Sequence, residues 1–284
     1  MSSNNIVTKC AKLNGNGNDF IVIDNRSSRW TASELSRISR SLCRRREALG
    51  ADGVLSMEFS SRLHFRMRLF NSDGSEGEMC GNGARCIARY AFEMGIAPRE
   101  MTFETLAGDV QACVEAPMVA LEMPEVDLSR VVLDEALEVA GLKLRYSFVT
   151  VGVPHVVIFL DDLSKRTTEE LTRLGREIRY RVDLFPQGTN VNFVALDRKG
   201  LFCITYERGV EGITSSCGTG SVASAIISHL LGKSGEKTDV RNLGGINTVS
   251  LSFLEKGRVL PALAGKTAFV ARLEVLEEAL ADIP

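Results

Sequence analysis

Apolar positions change period along the chain, and they do so twice in the same order. Leu63, Phe65, Met67 and Leu69 alternate with polar residues, the two-residue period of a half-buried strand. Ala84, Ile87, Ala88, Ala91 and Phe92 then recur at helical spacing and predict a helix over about 82–94. Met101 to Glu122 returns to short strands broken at Ala107-Gly108-Asp109, and Met123 to Asp127 reads as the exit from a first domain. The second half repeats the series. Ser147 to Leu160 is strand-like around Gly152-Val153-Pro154-His155, Thr167 to Arg179 is an amphipathic helix, and Val191 to Leu196 and Leu201 to Tyr206 are strands. A helix over about 220–231 follows, apolar on every face, which predicts a segment wrapped by sheet. Val249 to Val275 reads as short strands turned at Gly257 and Gly265.

Local chemistry sharpens several ends. Thr31 followed by Glu34 is a capping box opening a helix that continues from Leu35 to Arg46, with Arg44, Arg45 and Arg46 favoured at its C-terminus. Gly15 and Gly17 could be taken for a dinucleotide fingerprint, but that motif must open a helix, and Phe20-Ile21-Val22-Ile23 follows instead. They form a turn between strands.

The repeat keeps its spacing. Asp19 and Pro154, Asp52 and Asn190, and Cys80 and Cys217 stand 135, 138 and 137 positions apart. This is an internal duplication, with halves over about 1–128 and 129–271 and the last strand, about 272–284, joining the first half. The expected fold is mixed α/β: two pseudo-symmetric domains, each a barrel-like sheet around a central helix, with the active site in the cleft between them.

Composition narrows the function. Lys and Arg number 34 against 36 Asp and Glu, so no strong field recruits nucleic acid or an anionic membrane. No apolar stretch reaches bilayer length, and Met-Ser-Ser-Asn-Asn lacks a basic region leading into an apolar run, so the expected compartment is the cytoplasm. Seven scattered cysteines without a Cys-x-x-Cys pair argue against a disulfide framework or a zinc site, and no metal is expected. Cys10, Cys43, Cys86, Cys113 and Cys203 read as small core residues. His64 and His229 read as structural, and Asp73, Glu76 and Glu78 as a solvated loop.

Cys80 and Cys217 differ from the other cysteines. Each is followed by Gly-x-Gly, then an apolar run, then a glycine fifteen residues on, at Gly95 and Gly232. Each reads as a helix start with a thiol at its mouth and free N–H groups beside it, an anion-sized cradle. A helix N-terminus lowers a thiol's pKa and makes it a usable base near neutrality. Two such thiols on opposite faces of one α-carbon could remove and return a proton, while the N–H groups stabilise the carboxylate as it takes charge.

The motifs carrying this reading are Gly17-Asn18-Asp19-Phe20, Phe70-Asn71-Ser72-Asp73-Gly74, Met79-Cys80-Gly81-Asn82-Gly83-Ala84-Arg85-Cys86, Pro154-His155, Asn190-Val191-Asn192-Phe193, Glu207-Arg208-Gly209 and Ser216-Cys217-Gly218-Thr219-Gly220. In order and spacing they resemble the diaminopimelate epimerase family. That resemblance implies a cofactor-independent isomerase interconverting LL- and meso-diaminopimelate for lysine and peptidoglycan synthesis, as a homodimer. By the same resemblance Cys80 and Cys217 are the acid–base pair, tuned by His155 and Glu207. Gly81, Asn82, Gly218 and Thr219 hold the reacting carboxylate, and Asn18, Asn71, Asn190, Glu207 and Arg208 grip the rest of the substrate. Val153 stands where the family often has Asn. This keeps a second reading open, a racemase of another amino acid on the same scaffold.

Overall fold

A computed structural model describes residues 6–280. By contact the chain forms two compact units, one running to Leu121 and resuming at Gly265, the other covering Glu122–Ala264. The chain is mixed α/β, eighteen strands and four α-helices among the described residues.

The first unit opens with β1 (Ile6–Gly15), β2 (Asn18–Asp24), α1 (Ala32–Leu42), β3 (Gly53–Glu58), β4 (Arg66–Asn71) and β5 (Glu76–Gly77). It continues with α2 (Gly81–Glu93), β6 (Glu100–Thr105), β7 (Gly108–Glu115) and β8 (Met118–Glu122). β1 and β2 are an antiparallel hairpin closed by Asn16 (φ 50°) and Gly17 (φ 89°), so the glycine pair makes a turn. β2 pairs parallel with β3, β3 antiparallel with β4, and β6 antiparallel with β7. These strands enclose α2, which packs on β1, β2, β3, β4 and β7.

The second unit adds β9 (Val126–Asp127), β10 (Val132–Val139), β11 (Leu142–Val151), β12 (Val153–Phe159), α3 (Thr168–Arg179), β13 (Asn190–Asp197), β14 (Gly200–Glu207) and β15 (Gly212–Thr214). α4 (Gly218–Leu230), β16 (Lys237–Asn242), β17 (Gly245–Leu254) and β18 (Arg258–Leu276) complete the series. The pairings repeat: β11 with β12 antiparallel, β12 with β13 parallel, β13 with β14 antiparallel, β16 with β17 antiparallel. α4 packs on β11, β12, β13, β14, β16 and β17. The duplication read in the sequence is therefore a duplication of topology.

Helix ends show the same repetition at atomic detail. α1 and α3 both carry capping boxes, Thr31 with Glu34 and Thr167 with Glu170. α2 and α4 both stop at a left-handed glycine, Gly95 (φ 65°) and Gly232 (φ 70°). At each stop two N–H groups return to the last turn: Gly95 to Phe92 O and Ile96 to Ala91 O, Gly232 to His229 O and Lys233 to Ser228 O. Enclosure of α4 leaves its serines no solvent, and Ser221 and Ser224 satisfy themselves on the carbonyls four residues back, Cys217 O at 2.9 Å and Gly220 O at 2.7 Å.

Two expectations change. α1 stops at Leu42 instead of reaching Arg46. Arg45 is drawn away to bridge Asp19 and Asp52, an ion-pair geometry that a helical continuation would forgo. Gly265 is no turn; it lies inside β18, which runs unbroken for 19 residues. Its first residues pair with β9, Arg258 opposite Asp127, and its later ones with β1, Cys10 opposite Leu273. Gly265 is required by packing, because a Cβ there would stand 2.7 Å from Arg85 Nε.

Replacing Thr167 by Ala removes the hydroxyl that accepts Glu170 N–H and leaves the main-chain N–H of residue 167 donating to the Glu170 carboxylate. The expected loss is about 1 kcal/mol in urea unfolding, with the far-ultraviolet spectrum unchanged; a midpoint equal to wild type would deny the cap its role.

Candidate active site

In the first unit, Cys80 is the N-cap residue of α2, in an extended conformation with φ −138° and half-buried. Ala84 N–H is the first to return to the cap, onto Cys80 O at 2.7 Å, so the N–H groups of Gly81, Asn82 and Gly83 have no acceptor within the helix. Gly81 faces open space, where even an added Cβ would meet nothing within 4 Å. Gly83 is held against Leu55, whose Cδ2 would lie 3.1 Å from such a Cβ. The first glycine leaves the mouth open, and the second lets the helix pack.

Asn82 is buried and fully committed: its amide donates to Asn18 Oδ1 and its Oδ1 accepts from the Arg85 guanidinium. What it offers a ligand is main-chain N–H. Asn18 in turn donates to Asp52 Oδ2 at 3.0 Å, and the same oxygen accepts Asp19 N–H at 3.1 Å. Asp52 and Asp19 are clamped by Arg45, and Asp19 also by Lys12 at 2.6 Å. Asn71 ends β4 opposite Gly53, and its amide donates to Ser75 Oγ at 2.9 Å.

Arg85 was not foreseen. It is the largest fully enclosed side chain, lies on α2 beside Cys80 and Cys86, and leaves Nε and Nη1 without a hydrogen-bond acceptor in the protein. Burial works against its charge, and thiolate character on Cys86 or Cys80 favours it. An arginine between Ala84 and Cys86, at the apolar start of α2, was the available signal.

In the second unit, Cys217 caps α4, and its sulfur accepts Gly220 N–H at 3.3 Å. Thr219 Oγ1 lies 3.5 Å from the same sulfur. Gly218 is a tight fit, since a Cβ there would come 2.9 Å from Leu263 Cδ2. Glu207 ends β14, and its carboxyl is pushed up by burial and eased down by the Thr214 hydroxyl. Its charge acts on Cys217. His155 is wholly enclosed on β12 between Asn190 and Asn192, and burial pushes its pKa down to about 3, which favours the neutral ring. Arg208 donates its main-chain N–H to Asn190 Oδ1 at 2.7 Å, and its guanidinium rests on Gln187 O at 2.8 Å. Val153 sits half-buried at the start of β12, just after the turn at Gly152 (φ 68°).

The expected drop in thiol pKa does not hold for Cys217. Burial, then the nearby Glu207 charge, push it up to about 12 against the pull of Thr219 and Gly220. The partial charge of a helix end supplies only tenths of a kcal/mol up to about 2, less than desolvation of a buried thiolate removes. The surroundings of Cys217 therefore favour its protonated form.

Among the described residues no group of three or more His, Cys, Asp or Glu side chains is placed to hold a metal ion, and no helix is long and apolar enough to cross a membrane. Asp73, Glu76 and Glu78 form no such group; Glu76 instead pairs with Arg68 at 2.6 Å.

The sequence model of diaminopimelate epimerase matches residues 10–127 and 147–259, which include both cysteine-capped helices. The chain belongs to the diaminopimelate epimerase family. Relatives carrying that name include one from Hydrogenobaculum sp., 42% identical over 234 residues that cover 78% of this chain and 83% of the relative. Another, from Archaeoglobus fulgidus, is 42% identical over 252 residues, 85% of this chain and 88% of its own. Among solved structures, a phenazine biosynthesis protein of the PhzF family from Bacillus anthracis superposes with a TM-score of 0.71 at 16% identity, covering 95% of this chain and 99% of that one. A hydroxyproline epimerase from Agrobacterium vitis, with bound trans-4-hydroxy-L-proline, gives 0.65 at 18% identity, covering 95% and 92%. At such identities these structures show that the diaminopimelate epimerase fold is shared, and no more.

Raised thiols set an alkaline limit on stability. Cys10 is held up to about 11, and Cys86 and Cys217 to about 12, from an ordinary 9.0. Their contribution is whole below pH 9.0 and is lost as pH rises towards 11 and 12, because the unfolded thiols release protons first. Urea midpoints are expected to fall between about pH 8 and about pH 10.5, and to fall less in Cys217→Ala. Equal slopes for the two proteins would show that Cys217 is not held protonated by the fold.

Proposed function

We propose that this chain interconverts LL- and meso-diaminopimelate, with Cys80 and Cys217 as the acid–base pair. The observation carrying the proposal is the twin construction: each enclosed helix is N-capped by a cysteine within a matched Cys-Gly-x-Gly run, and the family match spans both. Membership of an epimerase family makes the chain an isomerase.

In one direction a thiolate takes the α-proton, and the C–H electron pair moves into the adjacent carboxylate to give an enediolate-like anion. The second thiol then donates its proton to the opposite face of the carbon, and the roles exchange for the reverse reaction. Cys217, held protonated by its surroundings, is the donor in the state described. Main-chain N–H groups of Gly81, Asn82, Gly218 and Thr219 stabilise the charge that develops on the carboxylate. Asn18, Asn71, Asn190, Glu207 and Arg208 hold the remainder of the substrate, Arg208 by a guanidinium fork suited to a second carboxylate. His155, held neutral between Asn190 and Asn192, tunes the second half together with Glu207, as the family resemblance implies. The reaction is cofactor-independent, and the enzyme works as a homodimer in the cytoplasm, as the family resemblance implies.

Incubation of the enzyme with LL-diaminopimelate in deuterated water should give meso product carrying deuterium at the α-carbon. Cys80→Ala and Cys217→Ala should each lower kcat by at least about 10³-fold. Product without label, or full activity in either variant, would remove the two-thiol mechanism. A panel of other L-amino acids read by chiral chromatography tests the alternative substrate that Val153 raises.

A further inference from the structure

His155 is a wholly enclosed titratable group whose role the two-thiol mechanism leaves open. Its two ring nitrogens face two side-chain amides, and the main chain dictates the orientation of both. Asn192 Nδ2 lies 2.8 Å from Val156 O. A carbonyl only accepts, so that end of the amide is the NH2 group. The same nitrogen stands 3.1 Å from His155 Nδ1, while Oδ1 on the other side accepts Thr205 Oγ1 at 2.9 Å. One hydrogen of the amide serves Val156, the other Nδ1. Asn190 is fixed just as firmly: Arg208 N–H donates to its Oδ1 at 2.7 Å, which turns its NH2 group to His155 Nε2 at 3.5 Å.

A neutral imidazole has one N–H and one lone pair. The lone pair belongs at Nδ1, where the shorter contact is, and the proton belongs at Nε2, where one donor facing another at 3.5 Å makes no hydrogen bond. An imidazolium would carry N–H groups against amide donors on both sides. The charged group that acts on His155 is Arg208, also positive, at the end of β14; Glu207 acts on Cys217. From the neighbouring strands the register partners are Val149 and Asn190, neither of them titratable. Room for the amide comes from α4, since a Cβ on Gly220 would stand 2.4 Å from Asn192 Oδ1 and 2.9 Å from Thr205 Oγ1. The third residue of the Gly-x-Gly motif therefore does more than open the helix mouth.

We infer that Asn192 is a positioning residue that locks His155 in its Nε2–H tautomer, so that the imidazole serves catalysis as a fixed, uncharged group beside Asn190 and not as a base. The catalytic use rests on the epimerase reading, whereas the tautomer does not.

The test is long-range 1H–15N correlation on protein labelled with 15N-histidine. The chain has three histidines, and His64→Gln and His229→Gln assign the other two. His155 is expected to show a bare Nδ1 and a protonated Nε2, unchanged from about pH 5 to about pH 9. In Asn192→Asp a carboxylate replaces the donor, so the ring proton moves to Nδ1 and a titration enters that range. kcat should fall by about tenfold or more, with KM changing less. Thr205→Val removes the hydroxyl on Oδ1, which also contacts Cys203 Sγ at 3.6 Å, but leaves Val156 O holding the amide, so the Nε2–H tautomer should persist. A wild-type Nδ1 that is protonated, or a His155 that titrates near 6.5, would overturn the inference. Loss of activity in the folded variants with the tautomer unchanged would do the same. A protein with the expected tautomer that leaves diaminopimelate untouched would instead sink the epimerase reading and leave the lock standing.

Discussion

Both halves of this chain depend on one constraint, a helix that begins on a sulfur while buried inside a sheet. Serine, threonine or aspartate at an N-cap would turn its oxygen onto the first-turn N–H groups and satisfy them internally. Cysteine is a poorer acceptor. At α2 no side chain caps the helix, and at α4 the sulfur takes a single long contact from Gly220. The remaining donors keep their reach for an outside anion. Enclosure then supplies rigidity, because a helix packed on five or six strands cannot shift its first turn without disturbing the sheet.

The same enclosure opposes the chemistry it positions. A buried thiol resists ionisation, and Cys217 is held near 12 where an exposed helix mouth would have lowered it. In the two-base reaction proposed above, a thiol that keeps its proton suits the part of the acid. Cys80 is the more open of the two, with open space beside Gly81 and a buried guanidinium on the next turn of its helix. Thus pseudo-symmetric topology carries unequal electrostatics. The two mouths share a sequence pattern, but the charges near them differ: Arg85 in one half, Glu207 in the other.

Order and period made most of the architecture legible. Helix positions followed from 3.6-residue spacing, and the duplication from offsets that survive in the pairing of every matched strand. Capping chemistry fixed the starts of α1 and α3, because Thr31 and Thr167 act on residues three positions away. Failures came where a distant partner outweighed local preference. Nothing within the run Arg44 to Arg46 says that Arg45 leaves the helix for Asp19 and Asp52, and nothing near Gly265 says that its missing Cβ makes room for Arg85 in place of a turn.

The candidate site was legible in the residue types that could react and illegible in what holds them. Cys80, Cys217 and His155 stand out because their residue types are rare and chemically capable, whereas Asn192, Thr205 and Arg85 look like ordinary polar residues in a strand and a helix. Their meaning lies in orientation. A side-chain amide has two distinguishable ends, and which end meets an imidazole depends on whether a carbonyl or an N–H holds its far side. For Asn192 that partner is Val156 O, across the parallel pair of β12 and β13, and for Asn190 it is the N–H of Arg208 at the end of β14. Because these anchors are main-chain atoms of paired strands, side-chain substitution elsewhere leaves them in place. The proton on His155 is thereby set by sheet register, a property that residue identity alone does not express.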